Sequence, residues 1–284
     1  MIRVRVLLAY LSLSSGVLAC DPASDPSRIS SVGGSITEIL YLLGMQANVI
    51  SVDTTSNFPA IAKEKPSVGY VRNISAEGVL SLKPTVIIGE NDMGPKEVVT
   101  QLRKTGVELQ VVKEEHSLGG VIRKLRCVAS IVGRRSIADE ILENDLNAKV
   151  LELKQLVRSN AARPLRVMFI LSLQGGSPIV GGRGVSADGL ISMAGGVNSV
   201  SFEGWKPVGP EAIIAAEPDV IIVTERGLKG YGTKEELLKH PSIRFTDAVV
   251  KDQILVMDGM ATLGFGPRAV SSALRIAKQL SEFE

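Results

Sequence analysis

Two distant stretches of this chain repeat each other. Ser75–Gly89 (SAEGVLSLKPTVIIG) and Gly209–Val223 (GPEAIIAAEPDVIIV) align without a gap, so that Glu77 falls on Glu211, Pro84 on Pro218 and Val86-Ile87-Ile88 on Val220-Ile221-Ile222. Each reads as a short helix, a proline that cannot continue it, and a strand apolar on both faces. Such a strand lies beneath helices on both sides, the setting of a parallel sheet. Two copies this far apart repeat a whole lobe, not a solenoid unit.

Between the copies runs Arg134–Asn160. Ile137, Ile141, Leu142, Leu146, Val150, Leu153 and Val157 recur there at helical spacing, with charges between them and no glycine or proline. The pattern predicts one uninterrupted helix of about 25 residues, roughly 38 Å long. Strands alternate with helices on either side of it. Arg28–Val32, Val49–Val52, Thr85–Gly89 and Val107–Val112 read as strands of the first half, and Arg166–Leu171 opens the second. Ser35-Ile36-Thr37-Glu38 fits a capping box at the start of the first helix. The expected fold is α/β: two Rossmann-like lobes with parallel sheets, residues 28–133 and 161–284, joined by a single long helix over 134–160. A cleft between such lobes is a common ligand site.

The N-terminus reads as an export leader over residues 1–19. Arg3 and Arg5 form the basic region, Val6–Leu13 the apolar region, and Val17-Leu18-Ala19 offers small residues for cleavage. Cys20 directly after Ala19 also resembles a lipoprotein cleavage box, although Leu18 is unusual there, so lipid attachment stays open. Residues 20–27 read as a polar linker. With Arg3 and Arg5 removed, acids and bases balance, and only 4% of the chain is aromatic. Neither a polyanionic partner nor stacking on nucleic acid is expected. Cys20 and Cys127 are the only cysteines, and no disulfide framework is implied. Cys127 falls in the helical pattern Val121–Val132 and reads as a small core residue.

Catalytic signals are weak. His116 and His240 are the only histidines. Neither has ligand spacing to a second His or Cys, and both read as surface or cap residues. Gly182-Arg183-Gly184-Val185-Ser186-Ala187 matches G-x-G-x-x-A, with Glu203 near the offset of an acidic ribose partner, which leaves a periplasmic enzyme as one alternative. The plainer reading is a turn whose glycines allow close packing. Gly33-Gly34-Ser35-Ile36-Thr37 fails the nucleophile-elbow pattern at its last position. More distinctive is Val68-Gly69-Tyr70-Val71-Arg72. Read as an extended run, it sets Tyr70 and Arg72 on one face. A guanidinium beside a phenol favours the phenolate, and a tyrosine phenolate can ligate haem iron.

These residues carry a resemblance. Arg28–Glu38 (RISSVGGSITE), Val68–Arg72, Ser75–Pro84 and Gly264-Phe265-Gly266-Pro267-Arg268 resemble the periplasmic haem-binding proteins of bacterial haem-uptake ABC transporters. The likeness extends over most of the chain after Ser27. The strand–turn–helix opening and the proline-stopped helices are shared with cobalamin and siderophore carriers of the same fold; the Gly-Tyr-x-Arg segment is more specific. The resemblance implies a monomeric, non-enzymatic carrier that takes ferric haem from the periplasm to an inner-membrane permease dimer. It implies that Tyr70 ligates the iron, that Arg72 supports it, and that Arg226 can meet a haem propionate. In some members a histidine precedes the paired glycines after the first strand of the second lobe. That place falls to Gln174 here, a poor iron ligand, so five-coordinate iron on Tyr70 is the expectation. Glu77 and Glu211, one per lobe, would each meet an arginine of a permease subunit.

Overall fold

The structure, a computed structural model, describes residues 20–173 and 177–283. The expected leader and Gln174 lie outside these residues. The first lobe contains, in order, β1 (Ile29–Val32), α1 (Gly34–Leu42), β2 (Val49–Val52), β3 (Gly69–Tyr70), β4 (Asn73–Ile74), α2 (Ala76–Ser81), β5 (Val86–Glu90), α3 (Lys96–Arg103), β6 (Glu108–Val112) and α4 (Leu118–Ile131). Its sheet has the order β2-β1-β5-β6 and is parallel throughout. The linking segment follows as α5 (Arg135–Ile141), a π turn over Leu142–Leu146, and α6 (Asn147–Asn160).

The second lobe contains β7 (Arg166–Ser172), β8 (Ile179–Gly181), α7 (Ser186–Met193), β9 (Val197–Asn198), β10 (Trp205–Pro207), α8 (Pro210–Ala215), β11 (Val220–Thr224), α9 (Glu225–Tyr231), α10 (Lys234–Leu238), α11 (Asp247–Val250), β12 (Ile254–Met257), α12 (Gly259–Leu263) and α13 (Arg268–Glu282). Its sheet runs β10-β8-β7-β11-β12, with β9 also on β7. The expectation of parallel sheets holds for β9, β7, β11 and β12, but β8 runs antiparallel to both of its neighbours, β7 and β10. Too few residues separate β7 from β8 for a crossover, which needs about a dozen, so the chain can only turn back.

The repeat read from the sequence extends to single bonds. Lys83 and Glu217, each just before the proline, both have left-handed backbones, at φ 51° and 43°. A following proline disfavours the right-handed helical region, and the left-handed turn ends each helix instead. Arg28 donates to the carbonyls of Leu82 (2.6 Å) and Lys83 (2.9 Å), and Arg166 donates to that of Ala216 (2.7 Å). The Thr85 amide then bonds to the Arg28 carbonyl (2.9 Å), and the Asp219 amide to that of Arg166 (2.8 Å).

Three further expectations change. The linking segment is one continuous helix, as expected, but not a uniform one: Ile141 and Leu146, five residues apart, are both buried, so the π turn takes up one extra residue to keep both inward. Ser35 does not cap α1. Gly33 (φ 126°) takes the N-cap position with no side-chain bond, and Ser35 and Glu38 are buried in other contacts. Cys127 is not a lone core thiol; it is disulfide-bonded to Cys20. The contact could not be read locally, because 107 residues of sequence separate the two.

One apolar cluster joins the lobes. It runs from Ile29 and Ile36 through Val128, Leu146 and Leu153 to Phe169, Leu190 and Ala273. The linking helix is therefore part of a shared core, and burying each such side chain favours the folded state by roughly 1.5–3 kcal/mol.

Candidate functional site

Gly69 is where the site begins. Its φ is 102°, and a Cβ there would lie 2.8 Å from the Asn73 carbonyl, so this turn needs glycine. The strand then ends at Tyr70. Gly69 pairs with Ile74 and Tyr70 with Asn73, which makes Val71-Arg72 the tip of a tight hairpin, not a continuing extended run. The hairpin is fastened by Thr54 N–H to the Gly69 carbonyl (2.8 Å) and Gly94 N–H to the Val71 carbonyl (2.9 Å). Val71 is buried beside Val68, Ile74 and Met93. With Val71 inward, Tyr70 and Arg72 both face out, and the pair forms despite the changed backbone.

Arg72 Nη1 donates to Tyr70 Oη at 2.6 Å, while Nη2 lies 2.5 Å from Asp92 Oδ2. The tyrosine ring is 43% exposed and open to a ligand. Burial works against the Arg72 cation, but the Asp92 carboxylate and Tyr70 outweigh it and raise the guanidinium above its ordinary value. Asp92 was not singled out from the sequence. Its signal was its place, just beyond the C-terminal end of β5, where ligands of open α/β sheets collect.

The remaining candidates stand apart. Glu77 and Glu211 are exposed in the first turns of α2 and α8, at matching places of the two lobes. Arg226 is exposed in the first turn of α9, a helix capped by Thr224. His116 packs its ring on Phe265, with centroids 5.0 Å apart. His240 is not a surface residue: it is buried, its Nδ1 accepts the Ser242 amide at 3.1 Å, and burial lowers its pKa. Among the described residues no group of three His, Cys, Asp or Glu could hold a metal ion, and no helix is long and apolar enough to cross a membrane.

The Gly182–Ala187 turn is already filled. The Gly182 amide bonds to the Gly204 carbonyl and the Arg183 amide to that of Phe202, and a Cβ at Gly182 would collide with the Phe202 carbonyl. The preceding β8 is antiparallel, so no dinucleotide-type βαβ unit exists there.

The segment 264–268 ties the second lobe to the first. Lys124, fully buried on α4, donates to Ser35 Oγ (2.8 Å) and to the Gly264 carbonyl (3.0 Å) and pairs with Glu114 (3.2 Å). Ser35 Oγ donates onward to Glu90 Oε1 at 2.5 Å. Burial pushes the Glu90 carboxyl up to about 8, against the pull of the Lys124 ammonium and with the push of Glu114. Beside this network Arg268 pairs with Glu38 (2.7 Å) and Asp258 (2.9 Å) and lies over the Phe58 ring. A cavity of about 1100 Å³ is bordered by Tyr41, Phe58, Ile61, Leu146, Lys149 and Arg268. It lies along the linking helix and contains none of the residues predicted for the site, so its size alone does not make it the ligand cleft.

A family model described as periplasmic binding protein matches residues 29–261. The solved periplasmic haem-binding protein of Roseiflexus sp. RS-1 superposes with a TM-score of 0.83 at 34% identity, covering 90% of this chain and 98% of that one. Among curated proteins, the vitamin B12-binding protein of Pectobacterium atrosepticum is 24% identical over 97% of this chain and 96% of its own. An uncharacterised ABC transporter substrate-binding lipoprotein of Bacillus subtilis is 22% identical over 90% of this chain and 80% of its own.

Proposed function

The chain belongs to the periplasmic binding protein family, and on that premise we propose that its cargo is ferric haem, held through Tyr70 and handed to an inner-membrane ABC importer. It is a solute-binding protein and not an enzyme. The observation that carries the haem reading is the 2.6 Å contact between Tyr70 Oη and Arg72 Nη1 on an exposed hairpin. A phenolate is a hard anionic donor that suits ferric iron, and tyrosine is a known haem ligand. Asp92 holds the guanidinium in place without taking it from the phenol, because separate nitrogens serve the two partners. Arg226, exposed in the first turn of α9 on the second lobe, is the candidate for a propionate. Export by the leader over residues 1–19 belongs to the same reading.

A haem-binding structural relative at 34% identity supports this cargo. The curated vitamin B12-binding relatives favour a second reading, a cobalamin carrier. A siderophore carrier of the same fold is further from the Tyr70–Arg72 chemistry. Parallel titrations with haemin and with cyanocobalamin, followed by absorption, distinguish the cargoes. Saturable haemin uptake with a phenolate-to-iron charge-transfer band is the expected result. Tight cobalamin uptake with no response to haemin would overturn the reading.

A further inference from the structure

We propose that the sulfur of Cys20 is committed to Cys127; because this is the atom a lipid anchor would occupy, the bond means that the exported carrier has been released without a lipid. The two Cα atoms are 5.0 Å apart, inside the range a disulfide spans. The backbone around Cys20 is fastened as well. Ser130 Oγ donates to the Cys20 carbonyl at 2.5 Å, and Arg135 donates to that same hydroxyl at 2.6 Å. The Ala23 amide bonds to the Ile131 carbonyl at 2.8 Å, and the Ser24 amide to Glu108 Oε2 at 2.9 Å. Cys20 and Ala23 pack against the main apolar core. The expected linker is thus laid along the end of α4 and the edge of β6, with the disulfide at its head.

The chemistry allows one outcome per molecule. Forming the disulfide removes two protons and two electrons from the two thiols, which a thiol–disulfide oxidant of the exported compartment accepts. A lipid anchor would instead form a thioether between the same sulfur and the glycerol carbon of a phospholipid, with loss of the thiol proton and departure of the phosphorylated headgroup. Cys127 would then be left as a free thiol. Transfer of lipid takes place on the unfolded precursor, before Cys127 can approach. The disulfide therefore requires that the cleavage box be passed over, and Leu18 is the unusual residue in it. The bond closes most of the first lobe, from Cys20 ahead of β1 to Cys127 in the second half of α4, into one covalent loop.

The test is to express the full chain with its own leader in a Gram-negative host, fractionate the cells, and map the peptides with and without reduction and alkylation. The expected product is in the soluble exported fraction. It carries a Cys20–Cys127 cross-linked peptide and accepts two alkyl groups only after reduction. Its melting temperature should fall by roughly 10 °C in reductant. Cys127→Ser should remain soluble, with one alkylatable thiol at Cys20. A diacylglyceryl mass on Cys20 with membrane-bound protein, in either version, would overturn the proposal. So would two free thiols before reduction. Haem binding does not enter the readout, so this test and the cargo test fail independently.

Discussion

Lys124 Nζ lies 3.0 Å from the carbonyl of Gly264, a hydrogen bond from the first lobe to the second that is sealed from solvent. With Arg268–Glu38 beside it and an apolar core running through both lobes, little is left to hinge. The radius of gyration from small-angle scattering should therefore be nearly the same with and without haem. A marked haem-dependent contraction would contradict this.

Glu90 gives that junction a pH dependence. Its carboxyl is pushed from 4.5 to about 8 in the folded chain, mainly by burial. Between those values the folded protein keeps a proton that the unfolded chain has released. Unfolding therefore gives up a proton, and stability falls as pH rises through this window. Urea midpoints at several pH values between 5 and 9 should decline toward the alkaline end. Glu90→Gln, which cannot ionise, should flatten the decline.

Removing the Tyr70 oxygen should cost most of the affinity for haem. Tyr70→Phe keeps the ring and the hairpin, because Val71 and not Tyr70 is the buried anchor. Haemin affinity should drop by about two orders of magnitude, equivalent to ~3 kcal/mol, and the charge-transfer band should disappear. An unchanged spectrum would assign the iron to another residue.

Asp92 acts through Arg72. Asp92→Asn leaves the guanidinium without its carboxylate partner, and groups supporting a ligand in this way typically contribute about 10-fold or more in affinity. The variant should bind haemin about 10-fold more weakly while retaining a shifted phenolate band. A role limited to folding would lower thermal stability and leave the band of the bound form in place.

Glu77 and Glu211 are helix-start charges in equivalent, exposed places. Against the helix dipole alone each contributes roughly 0.3–1 kcal/mol. A two-fold importer presents the same surface twice, and one carboxylate per lobe suits it. Charge reversal at both, Glu77→Lys with Glu211→Lys, should leave haemin binding intact and abolish transfer to the permease in reconstituted vesicles. Normal transfer would reduce both residues to dipole partners.

The features legible in the sequence were those with a local or repeated pattern. The proline-stopped helices, the buried strands after them and the Tyr70–Arg72 neighbourhood are written within a few residues. Even there, Gly69 and the hairpin it allows were hidden behind a pattern that also fits an extended strand. The partners of Ser35, Glu38 and Lys124 could not be read, because each meets a residue far along the chain: Glu90, Arg268 and Gly264. Ser35 and Glu38 have the spacing of a capping box, and only the N-cap at Gly33, two residues earlier, shows they are not one. The disulfide was obscured twice, by its distance and by the residues before Cys20, which also read as a lipoprotein cleavage box.

The π turn at Leu142–Leu146 sets the angular phase of the molecule. Each residue of an α-helix advances its axis by about 100°. A single extra residue absorbed between α5 and α6 therefore fixes which way everything beyond it faces. Ile141 before it and Leu146, Val150 and Leu153 after it are all buried in the same apolar cluster. Carried in regular α geometry, the extra residue would turn everything beyond it by nearly a third of a circle; taken up in the π turn, it leaves the heading unchanged. Without that turn the buried faces of the two lobes would no longer be in register.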